Sequence, residues 1–100
     1  MYKGKTIGVV IPAYNEEQLI PTTIKSVPKY VDMIYVVNDG STDGTADIAW
    51  SFYDTRIQGI NHDKNRGVGA AIVSGYKIVL KDNIDIAVVM AGDLACDKYL

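Results

Sequence analysis

The chain has little with which to bridge, ligate or anchor itself by the commoner routes. Cys96 is its single cysteine, which excludes an intrachain disulfide and points to a reducing, cytoplasmic compartment. His62 is its single histidine, so no His/Cys set stands at the spacing of a zinc site, and it is read as a loop residue. No apolar run approaches the roughly 18–20 residues that a membrane helix needs. Lys3 and Lys5 precede only a short strand-like apolar piece without a cleavage site, so no signal peptide is read. The 10 basic residues are scattered against 12 acidic ones, for a formal net charge of −2. Nucleic-acid binders carry a basic patch or stripe, and this chain has none. The pattern G-x-x-x-x-G-K-[ST] is absent, which excludes a P-loop. Repeats and low-complexity linkers are absent too.

What is present is core-forming sequence in quantity. One hundred residues, 48% of them hydrophobic, bound the chain to one domain with a real core. Four β-branched segments, 6–11, 33–37, 56–61 and 84–90, are continuous rather than alternating, which predicts strands buried on both faces. Helical periodicity lies between them. Ile20, Ile24 and Val27 recur at i, i+4 and i+7, with Pro21 in the first turn and Pro28 at the end. Ala46, Ala49, Trp50 and Tyr53 give a second face. Val68, Ile72, Gly75 and Val79 give a third, with Asn83 as its stop. The order is βαβαβαβ. Right-handed crossovers then predict an open parallel α/β sheet with helices on both faces. The expected order is 3-2-1-4, with the first and fourth strands adjacent where the chain reverses direction and a crevice opens.

Each predicted strand runs into a polar cluster. The first ends in Pro12-Ala13-Tyr14-Asn15-Glu16-Glu17. Proline removes a ladder donor and is expected to end pairing. Tyr14 offers a flat face for a base, and the glutamates offer acceptors; the plainer reading is a turn with Tyr14 packed on the next helix. The second ends in Asn38-Asp39-Gly40-Ser41-Thr42-Asp43-Gly44-Thr45. Asp39 at the strand end is taken as functional, accepting from a base or ribose, and Asp43 as structural, serving the helix that follows. The acids also fall near calcium-loop positions, but Trp50 stands where the bidentate glutamate belongs. The third cluster, Asn65-Arg66-Gly67-Val68-Gly69-Ala70-Ala71, opens a helix whose free N–H groups attract anions, its glycines serving either a ligand or close packing. The fourth ends in Ala91-Gly92-Asp93, a carboxylate suited to a hard cation or to a helix cap.

Taken in order, P-A-Y-N-E-E, V-V-N-D-G-S-T-D-G-T, N-R-G-V-G-A-A and V-V-M-A-G-D resemble the nucleotide-sugar half of family 2 glycosyltransferases, in the manner of the polyprenyl (dolichol) phosphate sugar synthases, over 6–93. The resemblance implies the GT-A fold, a Rossmann-like sheet. It implies that Pro12, Tyr14 and Glu16 frame the base and ribose and that Asp39 reads the base, with Arg66 and Asp93 completing the nucleotide set. Asp93 would be the last acid of a D-x-D motif and would hold Mg²⁺ or Mn²⁺ against the donor's diphosphate. Ala91 replaces the first acid, so the expected metal binding is weak and donor-dependent. The implied activity moves a sugar from a nucleotide-diphosphate sugar to an acceptor such as polyprenyl phosphate, at the cytoplasmic membrane face in the intact enzyme.

The chain is expected to be a single nucleotide-diphosphate-sugar-binding domain, 1–100, truncated before the acceptor-binding half, with no catalytic base assigned. The truncated sheet is expected to pair with another copy, as a homo-oligomer. The alternative is a nucleotide-binding module without catalysis. A receiver domain would need an acidic pair directly after the first strand, where Pro12-Ala13-Tyr14 stands. A flavodoxin-like domain would bind flavin.

Overall fold

The computed structural model describes residues 1–90. Seven elements follow one another: β1 (Ile7–Ala13), α1 (Ile20–Lys25), β2 (Met33–Asp39), α2 (Thr45–Trp50), β3 (Ile57–His62), α3 (Val68–Lys81) and β4 (Ile86–Val89). All neighbouring strands pair in parallel, in the order β3-β2-β1-β4. The expected order is therefore the observed one, and β1 and β4 are adjacent.

The two faces of the sheet bury different helices. Ile7, Val9, Ile11 and Ala13 of β1 and Ile34 and Val36 of β2 pack with Ile20 and Ile24 of α1 and Ala49 of α2. Val10, Tyr35 and Val37 face the other way, against Ala71 and Val79 of α3. A fully buried Val or Ile contributes roughly 1.5–3 kcal/mol relative to exposure, so this central pair of strands carries most of the core. Helix α3 sits close to β1 because Gly75 has no side chain: a Cβ there would lie 2.4 Å from Val10 Cγ1. Asn83 adopts φ 56°, and the carbonyls of Leu80 and Val79 accept from the N–H groups of Asn83 and Ile84. This left-handed asparagine stops α3 where the sequence predicts.

Three expectations are corrected. Pro12 does not end pairing; it lies inside β1 in register with Val37. In a parallel ladder the N–H and C=O of one residue point to the same neighbour. Thr6 and Val10 accept from Ile86 and Met90, so even-numbered residues of β1 face β4, and the missing N–H of Pro12 falls beyond the Val10–Val89 pair. Bonding to β2 is untouched. Tyr53 is not on the second helix, which stops at Trp50, and it is fully exposed. The chain leaves α2 to make the turn at Asp54 and Arg56, whose guanidinium donates to the carbonyls of Pro28 (2.7 Å) and Val31 (3.0 Å). Burial on both faces holds for β1 and β2 but not for β3 and β4, which are the edges of this four-stranded sheet.

Candidate functional site

The C-terminal ends of β1 and β2 lie side by side, and the loops that leave them are laced together. Ser41 Oγ accepts from the Asn15 N–H (3.0 Å), and Asn15 Oδ1 accepts in return from the Thr42 N–H (2.8 Å). Thr45 Oγ1, fully buried, accepts from the Glu16 N–H (2.8 Å). The Gly44 N–H donates to Glu17 Oε2 (3.1 Å). Loop N–H groups that have no ladder partner are thus satisfied by side chains of the neighbouring loop. The lacing leaves a cleft of about 300 Å³ lined by Asn15, Glu16, Glu17, Gln18, Leu19 and Asp43. Asp43 is structural, as expected. Its Oδ1 takes the N–H and hydroxyl of Thr45, and its Oδ2 takes the Glu17 N–H at 3.4 Å. The hydroxyl bond is the main reason its carboxyl lies below the usual range.

Asp39 binds the third strand end to the second. Only 3% exposed, it accepts at Oδ1 from His62 Nδ1 (2.8 Å) and the Arg66 N–H (2.9 Å), and at Oδ2 from the Gly67 N–H (2.9 Å). Burial pushes its carboxyl up; the His62 bond and the two backbone donors together outweigh that and hold it below its ordinary value. Gly40 next to it has φ 72°, and a Cβ there would lie 2.4 Å from the Lys64 carbonyl carbon and the Asn65 nitrogen. The turn after β2 therefore needs glycine for its dihedral and for the close passage of the 64–65 backbone. Asn38, half a turn of pleat away, donates to Asn61 Oδ1 (3.0 Å) and accepts from the Ser41 N–H (3.1 Å).

The predicted residues are brought to one sheet edge in part. Tyr14 is 42% exposed and Glu16 is half-buried, both just beyond β1. Arg66 is half-exposed, and its guanidinium lies 3.2 Å from Asp63. Among the described residues a would-be Cβ at Gly67 or Gly69 meets nothing within 4 Å, and α3 starts without a side-chain cap. Asp93, and with it the expected metal position, lies outside the described residues. Among the described residues no group of three His, Cys, Asp or Glu side chains is placed to hold a metal ion. No described helix is long and apolar enough to cross a membrane.

His62 corrects the sequence reading. It is the last residue of β3, not a loop residue, and stands in register with Asp39. Its side chain is 7% exposed and its Nε2 lies 2.7 Å from Ser74 Oγ on α3. Ending the third strand one residue too early hid it. A polar residue directly across from Asp39 in a parallel pair was the available signal.

The open parallel sheet, with β1 and β4 adjacent where the chain reverses and a laced edge at the ends of β1 and β2, is a Rossmann-like α/β domain. The family model for Glycosyl transferase family 2 matches residues 8–100, and the chain belongs to that family. It is 32% identical to UDP-N-acetylglucosamine–dolichyl-phosphate N-acetylglucosaminyltransferase of Methanococcus voltae, over 89% of this chain and 41% of that protein. It is 31% identical to the human dolichyl-phosphate beta-glucosyltransferase, over 71% of this chain and 26% of that protein. The chain thus spans well under half the length of these relatives. Among solved structures it is similar to glucosyl-3-phosphoglycerate synthase of Mycobacterium tuberculosis in complex with UDP, with a TM-score of 0.69 and 30% identity over 90% of this chain and 34% of that one. The same synthase has been crystallised with Mn²⁺, UDP and phosphoglyceric acid, and with Mg²⁺ and UDP. The fold and family expected from the four motifs are the ones found.

Proposed function

We propose that this chain is the donor-binding part of a glycosyltransferase that moves a sugar from a UDP-sugar to a polyprenyl phosphate. The observation that carries the reading is the family match over residues 8–100, joined to the edge where the loops of β1, β2 and β3 converge. The UDP complexes of the similar synthase and the UDP-sugar donor in the name of the archaeal relative favour uridine over guanosine.

In this reading the exposed ring of Tyr14 stacks on the base, and Pro12 and Glu16 frame base and ribose. A carboxylate has about four acceptor positions; Asp39 spends two on Oδ1 and one on Oδ2, which leaves one on Oδ2 for a donor N–H. Arg66 answers the diphosphate. Asp93 would be the residue to hold Mg²⁺ or Mn²⁺, which would supply positive charge to the donor's diphosphate. The acceptor oxygen bonds to the anomeric carbon on the face opposite the leaving group, the bond to the diphosphate oxygen breaks, and UDP departs with inversion. Positive and hydrogen-bond-donating groups at the diphosphate stabilise the charge that develops there.

Calorimetry of the chain with UDP, GDP and their sugars, with and without Mn²⁺, tests the reading. Binding of UDP in preference to GDP, strengthened by Mn²⁺, is the expected result. Flavin binding, or no nucleotide binding at all, would overturn it.

A further inference from the structure

His62 is buried, hydrogen-bonded at both ring nitrogens, and has no part in the reading above. Asp39 is anionic, because two backbone N–H groups already donate to it. A carboxylate of that kind can only accept, so the His62 proton sits on Nδ1 and points at Oδ1. In the Nδ1–H tautomer Nε2 is then an acceptor, and the Ser74 hydroxyl donates to it from α3 at 2.7 Å. The array Ser74–His62–Asp39 has the group order that activates a serine in hydrolases. Ser74 lies inside α3, however, where backbone N–H groups are spent on the helix. Among the described residues no donor pair is left beside it to hold an oxyanion. The array therefore orients and does not attack.

What it orients is a choice between two carboxylate oxygens. His62 and the Arg66 N–H fill Oδ1, so the remaining acceptor position falls on Oδ2 alone. We propose that His62 is a positioning residue for the nucleotide site: it fixes the rotation of the Asp39 carboxylate so that Oδ2 meets the donor, and Ser74 holds the imidazole in the tautomer that does so. Through the same carboxylate it keeps Arg66 and Gly67 drawn against the end of β2. This rests on the assignment of Asp39 as the reader of the base.

The two amide isosteres of histidine separate the halves of the array. Asparagine places an N–H near the Nδ1 position; glutamine places one near Nε2. UDP affinity measured by calorimetry with Mn²⁺ should therefore fall about tenfold in His62→Gln, as expected for loss of a hydrogen bond to a charged group, and stay within about threefold of the unsubstituted chain in His62→Asn. Ser74→Ala should fall between them. Thermal midpoints of the two His62 variants should drop alike, which separates affinity from folding. His62 is the only histidine, so its ring ¹⁵N spectrum has one imidazole to read. It should show the Nδ1–H tautomer and shift when UDP is added.

Equal affinities for His62→Asn and His62→Gln, or an Nε2–H tautomer, would overturn the inference. UDP binding that Asp39→Asn weakens and no His62 variant changes would overturn it while leaving the Asp39 assignment standing. UDP binding indifferent to Asp39→Asn would overturn that assignment and this inference together.

Discussion

Strands β2 and β4 look alike as sequence and differ in everything the fold makes of them. Ile34, Tyr35, Val36 and Val37 of β2 are each 0% exposed, whereas Ile86 and Val88 of β4 are 40% and 42% exposed. Strand β2 pairs on both sides and is covered by α2 on one face and α3 on the other. Strand β4 pairs only with β1 among the described residues, and α1 and α2 do not reach over it. Burial here is a property of position in the sheet, not of residue type. The laced loops leave the two central strands, β1 and β2, whose ends pair with each other up to Ala13 and Asn38.

The comparison breaks most sharply in the core. Ile34→Ala removes a fully buried side chain between β1 and β3 and should cost about 2–5 kcal/mol. For a domain whose total stability is on the order of 5–15 kcal/mol, that is a large share. Val88→Ala, half-exposed on the edge, should cost under about 1 kcal/mol, since part of that side chain never leaves water. Urea denaturation of both variants measures the difference. Equal shifts in midpoint would mean that β4 is covered in solution as β2 is.

The next largest effect contrasts two acids on the loop after β2. Asp39→Ala should weaken UDP binding by about 1.5–3 kcal/mol, the range for a hydrogen bond to a charged group. Asp43→Ala should leave UDP affinity unchanged and lower the thermal midpoint, because its bonds go to Thr45 and Glu17. Calorimetry and thermal melts on the two variants give four numbers. Loss of affinity in Asp43→Ala equal to that in Asp39→Ala would remove the distinction between reader and brace.

How far the sequence reached follows from the same contrast. The order of elements, the parallel sheet and the neighbouring β1 and β4 were legible, because apolar runs and crossover handedness are local or general facts. Asp43 as a brace was legible because its partner Thr45 is two residues away. What depended on register was not. His62 meets Asp39 only because β2 and β3 pair Asp39 with it. Arg56 reaches the carbonyls of Pro28 and Val31 across 28 and 25 residues, and no spacing rule announces that. Pro12 misled because proline is costly only where its N–H would have been used, and that side of β1 is decided by β4.

A smaller, graded effect belongs to pH. The Asp39 carboxyl is held below its ordinary value, with burial opposing and the His62, Arg66 and Gly67 donors prevailing. The Asp54 carboxyl is held low chiefly by the Arg56 side-chain bond. With the folded value below the unfolded one, the unfolded chain binds more protons in the acid window. The stabilisation is complete above the unfolded value near pH 4 and is lost as pH falls through the folded values. The contribution of these two carboxylates to the urea midpoint should therefore be constant above about pH 5 and decline below about pH 4. Asp39→Asn should make that decline shallower. An acid limb identical in the variant would show that Asp39 is not among the groups that set it.

The smallest effect on the fold, and the one that most sharpens the contrast, lies at the edge itself. Val88 lines an apolar groove of about 360 Å³ with Tyr2, Ile7, Val9, Pro28, Tyr30, Val31 and Met90. The rings of Tyr2 and Tyr30 meet there at 5.2 Å. An edge strand with apolar side chains is a template for pairing with another chain, and among the described residues β4 pairs only with β1. The chain should accordingly self-associate at micromolar concentration, with β4 at the contact. Val88→Lys places a charge on that strand, the device by which natural edges resist pairing. It should shift sedimentation toward monomer and move the thermal midpoint of the monomer little, because Val88 is 42% exposed to begin with. A chain that sediments as a monomer at high concentration without the substitution would show that exposed apolar residues on β4 do not by themselves recruit a partner.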